Sequence, residues 1–176
     1  MQLRVIKTDG TTEEYMHTKV IGTFHNALAL ADESNVFVAE QLADAVTFNL
    51  YKKGTHHITS EEIHLVIEAV LSATDYHDAA MALSEYRNTR KLRRNRIVVV
   101  SNDEPQSKWD KSIIVGGLIK KNSCDKHVAR AIASSVEEKV LNLAMSKVTA
   151  NLIEHLVHAD TETMLLAQKQ LEAINV

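Results

Sequence analysis

The chain holds one cysteine, one proline and five glycines in 176 residues, and aromatic side chains make up only 5% of it. Each scarcity excludes something. Cys124 by itself supports neither an intrachain disulfide framework nor a cysteine-based zinc ribbon. With Pro105 as the sole proline and glycine scarce, little interrupts helix formation, so a mainly helical chain is expected. No run of about 18 apolar residues occurs, and Met1-Gln2-Leu3-Arg4 leads straight into a strand pattern instead of an apolar signal core. The reading is a soluble, cytoplasmic protein that does not enter a membrane. Excess charge of one sign is missing too. A net charge of −3 and a pI near 6.3 give no global field for non-specific nucleic-acid binding, so any basic surface is local. There is no Walker loop, nucleophile elbow or paired-carboxylate motif, so catalysis is not expected. Among the nine histidines, His56-His57 and the His155/His158 pair lack the acidic or cysteine company of a typical zinc site, and no metal site is expected.

A hydrophobic content of 45% is ordinary for a folded protein and argues against disorder. The length suits one large domain or two units of about 85 residues each. Residues 3–7 and 11–16 read as two short strands around Asp9-Gly10, a dipeptide that favours a two-residue type I′ turn. Four helical patterns follow. Val20, Phe24, Ala27, Leu28 and Ala31 share one face of the first. Ala39, Leu42, Ala43, Val46 and Leu50 share a face of the second, which stops near Gly54. Thr59 and Glu62 form a capping box for the third, which carries Ile63, Val66, Ile67, Val70 and Leu71. The fourth runs from about Asp75 to Arg94 with Ala79, Leu83 and Tyr86 inward.

Beyond it, Ile97–Val100 reads as a strand, Ser101–Ser107 as a turn or loop, and helices are expected near 110–121, 126–143, 150–158 and 161–173. Overlaying the halves reveals a repeat. Residues 99–118 fall on 5–24 without a gap, matching Val99 to Val5, Asp103 to Asp9, Trp109 to Tyr15, Ile114 to Val20, Gly116 to Gly22 and Leu118 to Phe24. After a four-residue deletion, 128–157 fall on 38–67, matching Val136 to Val46, Thr149 to Thr59 and Ile153 to Ile63. Two domains are therefore expected, 1–95 and 96–176.

The opening hairpin also carries chemistry. Lys7 beside a turn can meet a polyphosphate as a mobile point charge. Lys19 lies in the first turns of a helix, where a cation opposes the helix dipole. A phosphate bound at that end would reverse the balance, since backbone N–H groups and Lys19 would act together. Tyr15 and Val20 can supply apolar walls to a purine, or a small core beneath the hairpin.

Val5-x-Lys7-x-Asp9-Gly10, Glu13-x-Tyr15, Lys19-Val20, the helix start at Thr59–Ile63 and Tyr86-Arg87-x-x-Arg90 together resemble the ATP-cone family over residues 3–92. The second half, from Trp109-Asp110-Lys111 to Leu156-Val157, is similar to a degenerate second cone. The resemblance implies a mostly α fold with small β: tandem ATP-cone-like units, each a four-helix bundle capped by a hairpin or small sheet. It implies ATP or dATP as a regulatory effector, with Mg²⁺ carried in on the nucleotide, and a link to ribonucleotide reductases or their operon repressor. The implied site is Lys7, Glu13, Tyr15, Lys19, Val20, Ser60, His64, Arg87 and Arg90. Within it Glu13 would face the adenine amino group or the sugar, and Ser60 and His64 would reach base or sugar. Arg87 and Arg90 would help hold phosphates.

Two positions depart from the family pattern. Thr8 replaces an arginine and so removes a phosphate fork. Met16 replaces an Asp or Asn and so removes a polar contact. Each loss is worth about 1–3 kcal/mol where nothing compensates. In the second half Lys7, Gly10, Glu13 and Lys19 become Ser101, Glu104, Ser107 and Ile113, which should repel polyphosphate. That unit is expected to bind no nucleotide and to serve packing or assembly, as a homo-oligomer or with a protein partner. Two other functions fit parts of the chain. One is a cone fold that has lost its ligand and become an interaction module. The other is a DNA-binding regulator using the six cations Arg87, Arg90, Lys91, Arg93, Arg94 and Arg96, although no aromatic interleaves them for base stacking.

Overall fold

A computed structural model describes residues 3–8, 10–102, 105–122 and 124–174. It divides into two compact units, Met1–Asn88 and Thr89–Val176. The architecture is mostly α with two small sheets.

The first unit starts with β1 (Arg4–Ile6) and β2 (Thr12–Glu14), followed by α1 (His17–Leu30) and α2 (Val36–Lys52). A short strand, β3 (His57–Thr59), then leads directly into α3 (Ser60–Ala73), and α4 begins at His77 and ends at Arg96. The sheet order is β2-β1-β3, with β1 antiparallel to β2 and parallel to β3. β3 was not expected. It is three residues long with one buried apolar side chain, Ile58, too short to produce an alternating pattern.

The link between β1 and β2 differs from the expected two-residue turn. Lys7 N donates to Thr11 O at 2.8 Å and Gly10 N donates to Lys7 O at 2.9 Å. Three residues therefore connect the strands. Gly10 takes φ +78°, the left-handed position that three-residue hairpin loops fill with glycine. Asp9, the other half of the expected turn, lies outside the described residues.

The helical faces pack as their spacing predicts. Val20, Phe24, Ala27 and Leu28 of α1, and Ala39, Leu42, Ala43, Val46 and Leu50 of α2, are buried. Ile63, Ile67 and Leu71 of α3, with Ala79, Ala80 and Leu83 of α4, close the same core under Leu3, Val5 and Ile58. Tyr86 is a correction: it is 41% exposed, one turn beyond the last inward residue of α4. The capping box at α3 is complete. Thr59 Oγ1 accepts from Glu62 N, and Glu62 Oε2 accepts from Thr59 N at 2.8 Å. The turn between α3 and α4 is sharp because Asp75 adopts φ +64°.

The second unit contains β4 (Val98–Val100), β5 (Ser107–Lys108), α5 (Lys111–Asn122), α6 (Lys126–Asn142), β6 (Lys147–Thr149) and α7 (Ala150–Ile174). Its sheet order is β5-β4-β6, again one antiparallel and one parallel pairing. Ile97, Trp109, Leu118, Ala129, Ile132, Val136, Val140, Leu141 and Val148 form its core. The separate helices expected at 150–158 and 161–173 are one continuous helix, because no Gly, Pro or left-handed residue interrupts α7 between them. Asp103 and Glu104, which the overlay matched to Asp9 and Gly10, lie outside the described residues.

Candidate functional site

A groove partly open to solvent lies in the first unit. Three stretches of chain build it. The first is the sheet. Successive strand residues point to opposite faces and directly paired residues share a face. Val5 pairs with Glu13 and with Ile58, so Val5, Ile58, Glu13, Lys7 and Tyr15 all fall on the face turned to the helices. The second is the start of α1, which brings Met16, Lys19, Val20 and Thr23. The third is α3, whose first residue is Ser60 because β3 pairs with β1 immediately before it; Ile63, His64 and Ile67 follow.

Seven of the nine expected residues line this groove: Lys7, Glu13, Tyr15, Lys19, Val20, Ser60 and His64. Arg87 is close enough to His64 to influence its charge, but its own guanidinium is bound to Glu61 at 2.9 Å and Glu68 at 3.1 Å. Arg90 is not brought to the groove. It belongs to the second unit, where it pairs with Glu137 at 3.2 Å and with Glu138. A cation's position along a helix gives no sign of which acid will claim it, and both acids lie far away in sequence.

The electrostatics centre on Glu13. Its carboxylate is only 9% exposed, and Oε1 contacts both Lys7 Nζ and Lys19 Nζ, the latter at 3.0 Å. Partial burial holds Lys19 below the ordinary lysine range. His64 is pushed down to about 4, first by burial and then by the Arg87 and Lys7 charges, against the smaller opposite pull of Glu61. At neutral pH His64 is therefore an uncharged imidazole, and its buried Nδ1 has no hydrogen-bond partner.

Tyr15 is held from behind. Its hydroxyl is 2.7 Å from Thr47 Oγ1, and its ring meets Tyr51 edge-on with centroids 6.2 Å apart. Burial raises its phenol above the usual value. His17 Nδ1 reaches the same Thr47 hydroxyl at 2.8 Å. Met16 occupies the N-cap of α1 and supplies no capping hydrogen bond, and no acid lies in the first turn. That helix end has no side-chain cap, and although Lys19 N turns back to Met16 O at 3.1 Å, the positive end of the helix dipole favours an anion.

Sequence reasoning missed several lining residues. Ile63 and Ile67 looked like pure core, and Thr23 carried no signal except its position one turn after Lys19. Thr47 sits on the polar side of α2 with nothing in the sequence to tie it to Tyr15.

The second unit has a different polar centre. Glu137, 1% exposed, accepts from Trp109 Nε1 at 3.2 Å and Lys111 Nζ at 3.3 Å, and Arg94 Nε lies 2.9 Å from it. Together with Arg90 it is met by four donor side chains. Burial alone would raise its carboxyl, but Lys111, Arg94, the Trp109 indole and Arg90 together hold it below the usual range.

A helical bundle capped by a small sheet fits a regulatory module. Residues 3–92 match the ATP cone domain, and the chain belongs to the ATP-cone family, whose members are regulatory nucleotide-binding domains of ribonucleotide reductases. It is 28% identical over 92 residues to an anaerobic ribonucleoside-triphosphate reductase of Haemophilus influenzae, a match covering 52% of this chain and 13% of that enzyme. No helix among the described residues is long and apolar enough to cross a membrane.

Proposed function

We propose that the chain is a non-catalytic, cytoplasmic regulatory module that binds ATP or dATP in the groove of its first unit, in the service of deoxynucleotide metabolism. One observation carries this reading: Lys7, Lys19, Ser60 and His64, from three separate stretches, converge with Tyr15 and Val20 on one groove. Lys7, Lys19 and the uncapped start of α1 supply the charge for phosphates, with any Mg²⁺ arriving on the nucleotide. Tyr15, braced by Thr47 and Tyr51, gives a rigid apolar wall of the kind a purine needs.

We further propose that the second unit is a degenerate copy which serves packing or assembly, in a homo-oligomer or with a protein partner. Its elements repeat the order of the first as far as α3, and α6 and β6 start 90 residues after α2 and β3. The polar pair Trp109–Glu137 also occupies the overlay positions of Tyr15–Thr47. At the positions of Lys7 and Lys19 stand Ser101 and Ile113, and at those of Ser60 and His64 stand Ala150 and Glu154. Such a set offers polyphosphate no cation.

Isothermal titration calorimetry tests the proposal. Nucleotide-free protein should release or absorb heat with ATP or dATP, saturating at one site per chain, and K7A/K19A should abolish it. Absence of heat at millimolar nucleotide would leave the module as a protein-interaction fold, a reading favoured by Thr8 and Met16 at positions where the family carries polar contacts. DNA binding through residues 87–96 is disfavoured, since Arg87, Arg90 and Arg94 are already engaged by Glu61, Glu68, Glu137 and Glu138.

A further inference from the structure

We infer that Glu13 is a built-in anion that holds the lysine pair of the groove together, and that a polyphosphate enters by replacing it. This rests on the proposed nucleotide site and assigns it a gate.

One carboxylate oxygen of Glu13 contacts both Lys7 Nζ and Lys19 Nζ. The two amines come from opposite sides of the groove, one after β1 and one on α1, yet converge on a single buried atom. A carboxylate at the meeting point of two ammonium groups occupies the place where a phosphate oxygen would sit. The remaining charges do not offset it. His64 is neutral at physiological pH, Arg87 is bound to two acids, and Glu14 adds a second negative charge to the rim. Lys7 and Lys19 against Glu13 and Glu14 leave no net positive charge among the lining residues. An incoming triphosphate therefore meets a balanced groove rather than a basic one. It gains the lysines only as Glu13 releases them, and the released carboxylate is repelled by the phosphates.

Glu13 thereby sets a threshold. A monophosphate, with a charge of about −1.5 to −2 at neutral pH, competes less well with the resident carboxylate than a triphosphate, which brings more charge to displace it. The geometry favours triphosphates over monophosphates without a separate contact for each phosphate.

Calorimetry with inorganic tripolyphosphate, inorganic phosphate and ATP on wild type and Glu13→Gln tests the gate. The amide keeps the shape and an acceptor oxygen but removes the charge, so it holds the two ammonium groups only as a dipole. The variant should bind tripolyphosphate about tenfold more tightly than wild type and should discriminate less against inorganic phosphate. Unchanged or weaker tripolyphosphate binding by Glu13→Gln would overturn the gate, while ATP binding by wild type would still support the nucleotide site. Tighter tripolyphosphate binding without ATP binding would uphold the gate and refute the adenine nucleotide. A readout without ligand guards against both titrations being silent. The Lys19 ammonium, followed by NMR, should titrate at lower pH in Glu13→Gln; an unmoved Lys19 would sink the clamp.

Discussion

Glu137→Gln should destabilise the second unit by about 2–4 kcal/mol. Breaking a buried ion pair from one side costs about 3–5 kcal/mol, because the partners stay behind uncompensated. Here the partners are partly solvated: Arg90, Arg94 and Lys111 side chains are 23%, 37% and 43% exposed, so water offsets part of the loss. The amide still offers one acceptor oxygen to the indole of Trp109. Its –NH₂ group, however, turns two donors toward a site already holding three cations and an N–H. The protein has a single tryptophan, and that residue is 7% exposed and bonded to Glu137. Tryptophan fluorescence, excited selectively over the four tyrosines of the first unit, therefore reports the affected unit during urea titration. For a unit of this size each kcal/mol lowers the melting midpoint by about 4–8 °C, so a drop of about 8–30 °C is expected. The carboxyl is held below its ordinary value of 4.5 in the fold, so its stabilisation is complete above that pH and is lost as the medium is acidified through the folded value. The difference between wild type and Glu137→Gln should narrow over the same acid range. A variant within about 0.5 kcal/mol of wild type, the ordinary range for surface substitutions, would refute the account of Glu137 as the fastening point of this core.

Thr59→Ala removes the hydroxyl half of the α3 capping box and should cost about 1 kcal/mol by denaturant titration, with a smaller loss if water caps the helix instead. His64 should titrate near pH 4 by NMR. Because the unfolded imidazole takes its proton near 6.5, the fold gains from neutral His64 fully above that pH and loses the gain as pH falls towards 4. His64→Ala should accordingly flatten the stability profile between those values, and an imidazole titrating near 6.5 would contradict its burial beside Arg87 and Lys7. In the titrations of K7A and K19A as single variants, each should weaken ATP binding, and an unaffected K19A would remove α1 from the site.

The helical faces and the α3 cap were legible because their information is local. Val20 to Leu28 and Ala39 to Leu50 repeat at helical spacing, and Thr59 and Glu62 are three residues apart. Part of the groove's lining was legible, through its place beside the hairpin turn for Lys7 and through the family pattern for Glu13, Ser60 and His64. What could not be read was pairing between distant segments. β3 exists only because β1 accepts it as a parallel neighbour. Arg90 looked like a phosphate ligand until the fold set Glu137 and Glu138 beside it. The break between the third and fourth helical patterns depends on Asp75 in a left-handed conformation; the corresponding stretch of α7 has no such residue, and the expected break there does not occur.

The central position of β1 has a consequence for how such a domain can change over time. Insertions in the turn from Ala31 to Asn35, or between Lys53 and His56, lengthen connections at the periphery and leave the spacing of the groove intact. One residue added to or lost from β1 is different. That three-residue strand sets the register of β2 on one side and β3 on the other, so a slip moves Lys7 against Glu13 and against Ser60 in one stroke, and turns Val5 out of the core. The central strand of the unit is thus its common ruler. Variation is expected to accumulate in the helix connections, while Val5-Ile6-Lys7 keeps its length.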